Sequence, residues 1–320
     1  METRKAAITI EDAAAFLSTR DNYLIITHRQ PDGDTLGCAV ALCAALRTLG
    51  KSAAVLTNPQ ITRSYAELTA PYELDTSDFG GYTLIAVDVP AASHIQVNFP
   101  SDEVGIAMLI DHHGGHEGFA ERNLILPRLA SCGEVTLRVL RALDAEITPA
   151  IATALYIAVS TDTGCFRYKN TTAETLYAAA ELVSLGAENG RINYELFTVK
   201  RLSRIKLEAA VISGMEFYDR GDTAVASITL EMIKAADADE GDMEDTANIA
   251  LTPQGVETAI TLREMPDGTT KLSVRTANKP NAAEICRMFG GGGHDMAAGA
   301  TIKAALPEAK SLVIAAISAA

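Results

Sequence analysis

The chain has 320 residues, 48% of them hydrophobic, and a formal net charge of −14 at pH 7. That length suits two domains, each apolar enough to bury its own core, and the acidic balance excludes a general coat for nucleic acid, which needs a basic footprint. A nucleotide enzyme stays open, because bound cations invert the charge of a site. Taken in order, "IEDAAAFLS" reads as a helix and "YLIIT" as a short buried strand. A loop with Pro31 and Gly33 follows His28, then a helix over "TLGCAVALCAALRTLG" that closes on Gly50. "SAAVLT", "YTLIAVD" and "GIAMLID" are three more strands, and "GEVTLRVLRALD" is a helix. "PAIATALYIAVSTDTG" begins as a helix after Pro149, and "TAETLYAAAELVSLGA" is another, stopped at Gly186.

Strands alternating with helices predict a doubly wound, mostly parallel α/β sheet over residues 1–188. Residues 189–213, "NGRINYELFTVKRLSRIKLEAAVIS", are charged and helical and suit a connecting helix. Residues 214–320 read as a smaller α+β domain with a mixed sheet. There "EFYDRGDTAVASIT" is a hairpin-like pair and "AADADEGDMED" an acidic loop. "VETAITLREMPDGTTKLSVRT" is the clearest hairpin, turned through Pro266, Asp267 and Gly268. A short helix over "NAAEICRMF" leads into "GGGGH", then "AAGATI" and a final helix.

The five cysteines, Cys38, Cys43, Cys132, Cys165 and Cys286, are odd in number and scattered, with no CxxC pair. They read as reduced cytoplasmic thiols. The first residues carry acids and no apolar signal core, and no apolar run approaches the roughly 18 residues of a membrane span. Neither secretion nor a membrane is expected.

Four apolar runs end in a side chain that can bind a metal: His28, Asp88, Asp111 with His112 and His113, and Asp162. Ligand sites in open α/β sheets form beyond the carboxyl ends of the strands, so distant segments can meet at one edge. The last run follows a helix or a strand. "HRQPDGD" adds Asp32 and Asp34, brought together by the turn at Pro31 and Gly33. Singly, an Asp in such a turn is a turn former and a lone His a satisfied surface or core residue. Four coincident ends are hard to explain by turns.

His28, Asp32, Asp34, Asp88, His112 and Asp162 give six oxygen and nitrogen donors without sulfur, a set for Mn²⁺, Mg²⁺ or Fe²⁺ rather than structural zinc. Six exceed what one catalytic ion takes while keeping open positions. They suit two ions roughly 3.5–4 Å apart sharing a carboxylate, an arrangement that activates water for phosphoester hydrolysis. Asp111 is expected to orient a histidine from behind. Because neighbours in an extended segment point to opposite sides, His112 and His113 are expected to serve different partners. His94 and His116 match no ligand spacing and read as surface residues.

Gly290 to Gly293 let backbone N–H groups approach an anion, and His294 stands at the end of that loop. Arg275 lies on a hairpin strand, as a solvated face or, paired with the glycine loop, as a bidentate phosphate clamp. Lys200, Arg201, Arg204 and Lys206 read as a solvated helix face.

In order and spacing, "HRQPDGD", the Asp of "AVDVP", "DHH" and "STDTG" resemble the motifs of the DHH phosphoesterases, and "SVRT" with "FGGGGHDMAAG" resembles the DHHA1 domain that follows in one subfamily. Nearly the whole chain is covered. The length is similar to the nanoRNase and pAp phosphatase group, relatives of the RecJ exonuclease. The resemblance implies two Mn²⁺ ions, with Mg²⁺, Fe²⁺ or Co²⁺ as other ions of that site. It places one ion on His28, Asp32 and Asp88 and the other on Asp34, Asp88, His112 and Asp162, with Asp88 bridging. It puts His113 beside the substrate phosphate as an electrophilic or acid group. Arg275, His294 and the glycines Gly291, Gly292 and Gly293 would hold a substrate phosphate across a cleft. "SVRT" stands where many relatives have Ser-Leu-Arg-Ser, a change that keeps the arginine.

The implied activity is hydrolysis of very short oligonucleotides, of 3′-phosphoadenosine 5′-phosphate, or of both. The alternative is a phosphodiesterase of cyclic di-AMP or linear dinucleotides. Family II pyrophosphatases share the first domain's motifs but not the glycine loop. A nucleotide sensor without catalysis conflicts with the complete ligand set. A long nucleic acid is not an expected partner; a homodimer is compatible with the resemblance.

Overall fold

The computed structural model describes residues 6–115, 118–243, 246–277, 281–293 and 295–318. His116 and His294 therefore lie outside the described residues. The chain divides into two compact units, residues 1–199 and 200–320.

In the first unit the elements run β1 (Ala6–Ala7), α1 (Ile10–Thr19), β2 (Tyr23–Ile26), α2 (Gly33–Thr48), β3 (Ala53–Leu56), α3 (Ala66–Thr69) and β4 (Glu73–Leu74). They continue with β5 (Thr83–Val87), β6 (Met108–Asp111), β7 (Arg122–Ile125), α4 (Cys132–Ala142), α5 (Pro149–Asp162), α6 (Ala173–Ser184) and α7 (Asn189–Phe197). The seven strands form one sheet in the order β1-β7-β6-β5-β2-β3-β4. Every described pairing in it is parallel. All four residues of β2 are buried, as a parallel strand covered on both faces requires. Tyr23 and Ile25 join a cluster with α1, α2, α4 and α5, whereas Leu24 and Ile26 face Val89, Ile95, Phe99 and Ile106.

Helices α2 and α5 approach until backbone meets side chain. A Cβ on Gly37 would lie 2.4 Å from the Ala154 carbonyl oxygen. Only glycine permits that separation, and it brings the N-terminal turn of α2 beside the last turn of α5.

The second unit contains α8 (Leu202–Ser213), β8 (Glu216–Tyr218), β9 (Thr223–Ile228), α9 (Leu230–Ala236), α10 (Thr246–Ile249), β10 (Thr258–Glu264) and β11 (Thr270–Thr276). After them come α11 (Ala282–Arg287), β12 (Gly292–Gly293), β13 (Ala297–Ile302) and α12 (Leu306–Ser318). Its six-stranded sheet has the order β12-β13-β11-β10-β9-β8. The β9–β10 pair is parallel and the other pairs are antiparallel, so the sheet is mixed. The hairpin expected through Pro266 to Gly268 is β10–β11, in register from Thr258 opposite Thr276 to Glu264 opposite Thr270. The stretch read as one connecting helix folds as two, α7 and α8, interrupted at 198–201. The break carries β-branched Thr198 and Val199, and α7 ends with Thr198 as its C-cap.

Candidate metal centre

The carboxyl edge of the first sheet collects the predicted ligands. His28 follows β2, Asp88 follows β5, and Asp111 closes β6 with His112 and His113 just beyond. Asp162 is the last residue of α5, so the fourth apolar run is a helix. The turn expected at Pro31 and Gly33 is a helix start. Asp32 is the N-cap of α2, and its Oδ1 accepts the N–H groups of Asp34 at 3.0 Å and Thr35 at 3.2 Å. An N-cap carboxylate takes donors that the helix leaves unpaired.

Asp34, inside that first turn, is 1% exposed. Its Oδ2 accepts the Cys132 N–H at 2.7 Å and its Oδ1 the Gly133 N–H at 2.9 Å, both from the start of α4. His28 Nδ1 lies 2.8 Å from the Arg29 carbonyl oxygen, and His112 Nδ1 lies 3.2 Å from the Leu129 carbonyl oxygen. Each ring thus places its proton on Nδ1 and turns an Nε2 lone pair toward the carboxylates.

The spacing of those Nε2 atoms separates the chemistry of this cluster from ordinary ion pairing. His28 Nε2 is 3.5 Å from Asp32 Oδ1 and 3.8 Å from Asp88 Oδ2. His112 Nε2 is 3.8 Å from Asp34 Oδ2, 3.6 Å from Asp88 Oδ1 and 3.5 Å from Asp162 Oδ2. Such distances are too long for hydrogen bonds, and suit donor atoms arrayed around a shared cation. Donor atoms of His28, Asp32 and Asp88 lie within 4.8 Å of one another, as do those of Asp34, His112 and Asp162.

Asp88 is the residue common to both sides. It is 2% exposed, its φ of 57° is left-handed, and its Oδ1 is buried with no hydrogen-bond partner. An unpaired buried oxygen costs about 1–3 kcal/mol, more when charged, and a non-glycine residue in that conformation marks a constrained position. A cation bound there would satisfy that oxygen. The donor chemistry and this orphaned oxygen fit a divalent metal ion.

The electrostatics point the same way. Burial, then the charge of Asp88, pushes the Asp34 carboxyl well above the usual carboxylate range. Burial, then Asp32 and Asp111, does the same to Asp88. Asp162 is pushed up to about 7 by burial and by the Asp32 charge. Burial and the neighbouring His113 lower His112. Burial alone would lower His28, but the Asp32 carboxylate beside it, then the Arg29 carbonyl, raise it. Crowded carboxylates that resist ionisation need a cation to ionise together.

Asp111 is fully buried. One of its oxygens, Oδ1, accepts the N–H of His112 at 2.7 Å and that of His113 at 3.1 Å, and lies 2.8 Å from His113 Nδ1. These contacts curl the chain after β6, which overturns one expectation. The segment is not extended, so the two imidazoles do not diverge. Their ring centroids are 4.7 Å apart, and His113 Nδ1 is 3.5 Å from Asp88 Oδ1. The Asp111 hydrogen bond and charge outweigh burial and raise the pKa of His113.

In the second unit, half-buried Arg275 sits on β11 opposite Ala259 and Ala297, and its Nη1 donates to the Val274 carbonyl at 3.0 Å. Of the four glycines, two have no free N–H for an anion. Gly290 donates to Arg287 O at 3.0 Å and Gly291 to Cys286 O at 2.9 Å, closing α11. Gly292 and Gly293 form β12, an edge strand paired with β13. Gly293 needs to be glycine: its φ is 145°, and a Cβ would lie 2.6 Å from the Ala297 carbonyl oxygen. Lys200 and Arg204 pair with Glu208, and Arg201 with Asp239 and Asp242. Three of the four cations of that cluster are thus paired with acids. His94 is exposed.

Two supports were not visible in the sequence pattern. Asn58 donates to Thr27 Oγ1 at 3.0 Å and to the His28 carbonyl at 2.9 Å, while Gln96 accepts the Thr27 N–H at 3.0 Å. Both are buried and pin the backbone that carries His28. An Asn and a Gln between unrelated strands leave no periodic signal.

Comparison with known proteins agrees with this architecture. Residues 22–159 match the DHH family, N-terminal domain, and residues 222–319 match the DHHA1 domain. The chain is 32% identical to the bifunctional oligoribonuclease and PAP phosphatase NrnA of Thermus thermophilus, over 87% of this chain and 83% of that one. It is 26% identical to the cyclic-di-AMP phosphodiesterase GdpP of Geobacillus thermodenitrificans, over 91% of this chain and 46% of that one. Its fold is similar to that of an exopolyphosphatase-related protein from Bacteroides fragilis, with a TM-score of 0.88, 24% identity, and coverage of 97% of this chain and 95% of that one. By sequence and by the order of its two domains, the chain belongs to the DHH family of phosphoester hydrolases, with a DHHA1 domain following the first.

Proposed function

We propose that this chain is a Mn²⁺-dependent hydrolase of very short oligonucleotides that also removes the phosphate of 3′-phosphoadenosine 5′-phosphate. The observation that carries the reading is Asp88, whose two oxygens face His28 on one side and His112 on the other. His28, Asp32 and Asp88 would hold one ion, and Asp34, Asp88, His112 and Asp162 the other. Two such ions, when bound, acidify water and stabilise charge on the attacking and leaving oxygens.

The chain's own residues do the rest. Asp111 fixes the His113 ring through Nδ1, so Nε2 is the atom that meets a substrate phosphate and gives or holds a proton there. Arg275 would grip a second phosphate bidentately, and Gly292, Gly293 and His294 are the other residues assigned to substrate phosphate. The relatives named for oligoribonuclease and PAP phosphatase activity support this substrate class. The thiol pattern supports a cytoplasmic setting, and among the described residues no helix is long and apolar enough to cross a membrane.

The likeness to GdpP favours a second reading, hydrolysis of cyclic di-AMP or its linear dinucleotide. A panel of di- to pentanucleotides, 3′-phosphoadenosine 5′-phosphate and cyclic di-AMP, assayed in Mn²⁺, separates the two. Turnover of the short linear substrates supports the first reading; turnover of cyclic di-AMP alone overturns it.

A further inference from the structure

One short segment touches two of the ligands assigned to the second ion, His112 and Asp34, and is tied through Asn170 to a third, Asp162. The segment 129–134 reads "LASCGE". Its Leu129 carbonyl oxygen sits 3.2 Å from His112 Nδ1. Its Cys132 and Gly133 N–H groups bind the two oxygens of Asp34. Its Ala130 carbonyl accepts the Asn170 side-chain amide at 3.1 Å, and the same Nδ2 donates to the Asp162 carbonyl at 3.1 Å. The two hydrogens of one amide thus tie the loop to the end of α5.

Something must hold the loop itself, and Glu134 does. It is 2% exposed, and Arg138, one helical turn on, pairs with Glu174 instead. Its Oε2 accepts the Ala130 N–H at 2.8 Å and the Thr175 hydroxyl at 3.3 Å. Burial raises its pKa, so this carboxyl is kept at an energetic cost. Capping α4 alone does not require that: Ser131 Oγ already accepts the Glu134 N–H at 3.3 Å. Asn170 is reached through a strained turn, since Cys165 and Phe166 have φ of 57° and 64°.

We propose that Asn170 and Glu134 are positioning residues for the ion held by Asp34, His112 and Asp162, acting through the 129–134 loop and leaving the ion at His28, Asp32 and Asp88 unaffected. This rests on the two-ion centre proposed above. The first ion has its own supports, Asn58 and Gln96, which share no hydrogen bond with the loop. Loss of groups that orient metal ligands costs about 10- to 100-fold in affinity.

The test is calorimetric titration of Mn²⁺ into the metal-free full chain and its variants. Wild type takes up two ions; uptake of one overturns the two-ion reading and leaves the loop geometry to be judged on that one site. In Asn170→Ala and Glu134→Ala one binding event weakens about 10- to 100-fold while the other stays within a factor of about two. Glu134→Gln, which keeps an acceptor for the Ala130 N–H, returns the affinity toward wild type. Asn170 is exposed, so its truncation is expected to leave the fold intact, and the melting temperature of each metal-free variant checks this. Two unchanged events in Asn170→Ala overturn the proposal. Equal weakening of both events, with a lowered melting temperature, overturns it as well, because that is a general loss of structure.

Discussion

His112 Nε2 and Asp88 Oδ1 face each other at 3.6 Å, and neither atom is satisfied by the other. Two strand ends have been brought together without forming a hydrogen bond. The other carboxylate oxygen repeats this with His28. The buried carboxylate between two imidazoles is the centre of the functional reading.

Asp88→Asn keeps the shape and removes the charge. Turnover is expected to fall by about 10³-fold or more, since charge stabilisation of several kcal/mol is lost. The metal-free variant is expected to melt higher than wild type, because the repulsion that lifts Asp34 and Asp88 is relieved. Near-normal turnover would remove Asp88 from the mechanism.

The same carboxylates set a pH dependence. Asp34, Asp88 and Asp162 are raised above 3.8, Asp162 to about 7. The folded, metal-free protein therefore binds more protons than the unfolded chain across that interval, so its stability falls as pH rises from 3.8 toward 7. His28 and His113, also raised, extend the fall above 6.5; His112, lowered, opposes it just below 6.5. Added Mn²⁺ displaces these protons, so the gain in melting temperature it gives should grow with pH. Melting curves with chelator and with Mn²⁺ across that range check both slopes, and a flat metal-free profile contradicts them.

Much of this site could be read without a structure, for a physical reason. His28, Asp88 and His112 follow the carboxyl ends of parallel strands, which meet at one edge, while Asp162 ends a helix and Asp32 and Asp34 open another. What could not be read depends on backbone groups. The curl that brings His112 and His113 together comes from N–H groups closing on Asp111, and the 129–134 loop acts through carbonyls and N–H groups that no side chain announces. Strand β7 was missed because it begins with Arg122 and Asn123, and Asn123 is buried only because its side chain binds the Ala120 backbone. The β10–β11 hairpin was legible because strict alternation flanks a Pro-Asp-Gly turn.

Close packing of α2 on α5 gives a stability prediction. Gly37→Ala forces a Cβ to within 2.4 Å of the Ala154 carbonyl oxygen, and such overpacking costs about 1–3 kcal/mol. Gly190, in α7, has open space around it, so Gly190→Ala is expected to stabilise by roughly 0.5–1 kcal/mol. Denaturant unfolding of the two variants should give opposite signs. Equal effects would show that the helix contact is looser than described.

Arg275→Ala should act on substrate binding. Loss of hydrogen bonds to a charged group, about 1.5–3 kcal/mol, corresponds to a KM raised roughly 10- to 100-fold, with kcat within a few-fold. Arg275→Lys should restore little, because an ammonium lacks the planar two-pronged donor. A loss confined to kcat would place Arg275 outside the phosphate clamp.

The most direct test of the centre is diffraction from crystals soaked in Mn²⁺, with data collected for anomalous scattering. The account predicts two peaks roughly 3.5–4 Å apart, one beside His28 and one beside His112, with one oxygen of Asp88 on each. A single peak, or two peaks that do not share Asp88, would contradict it.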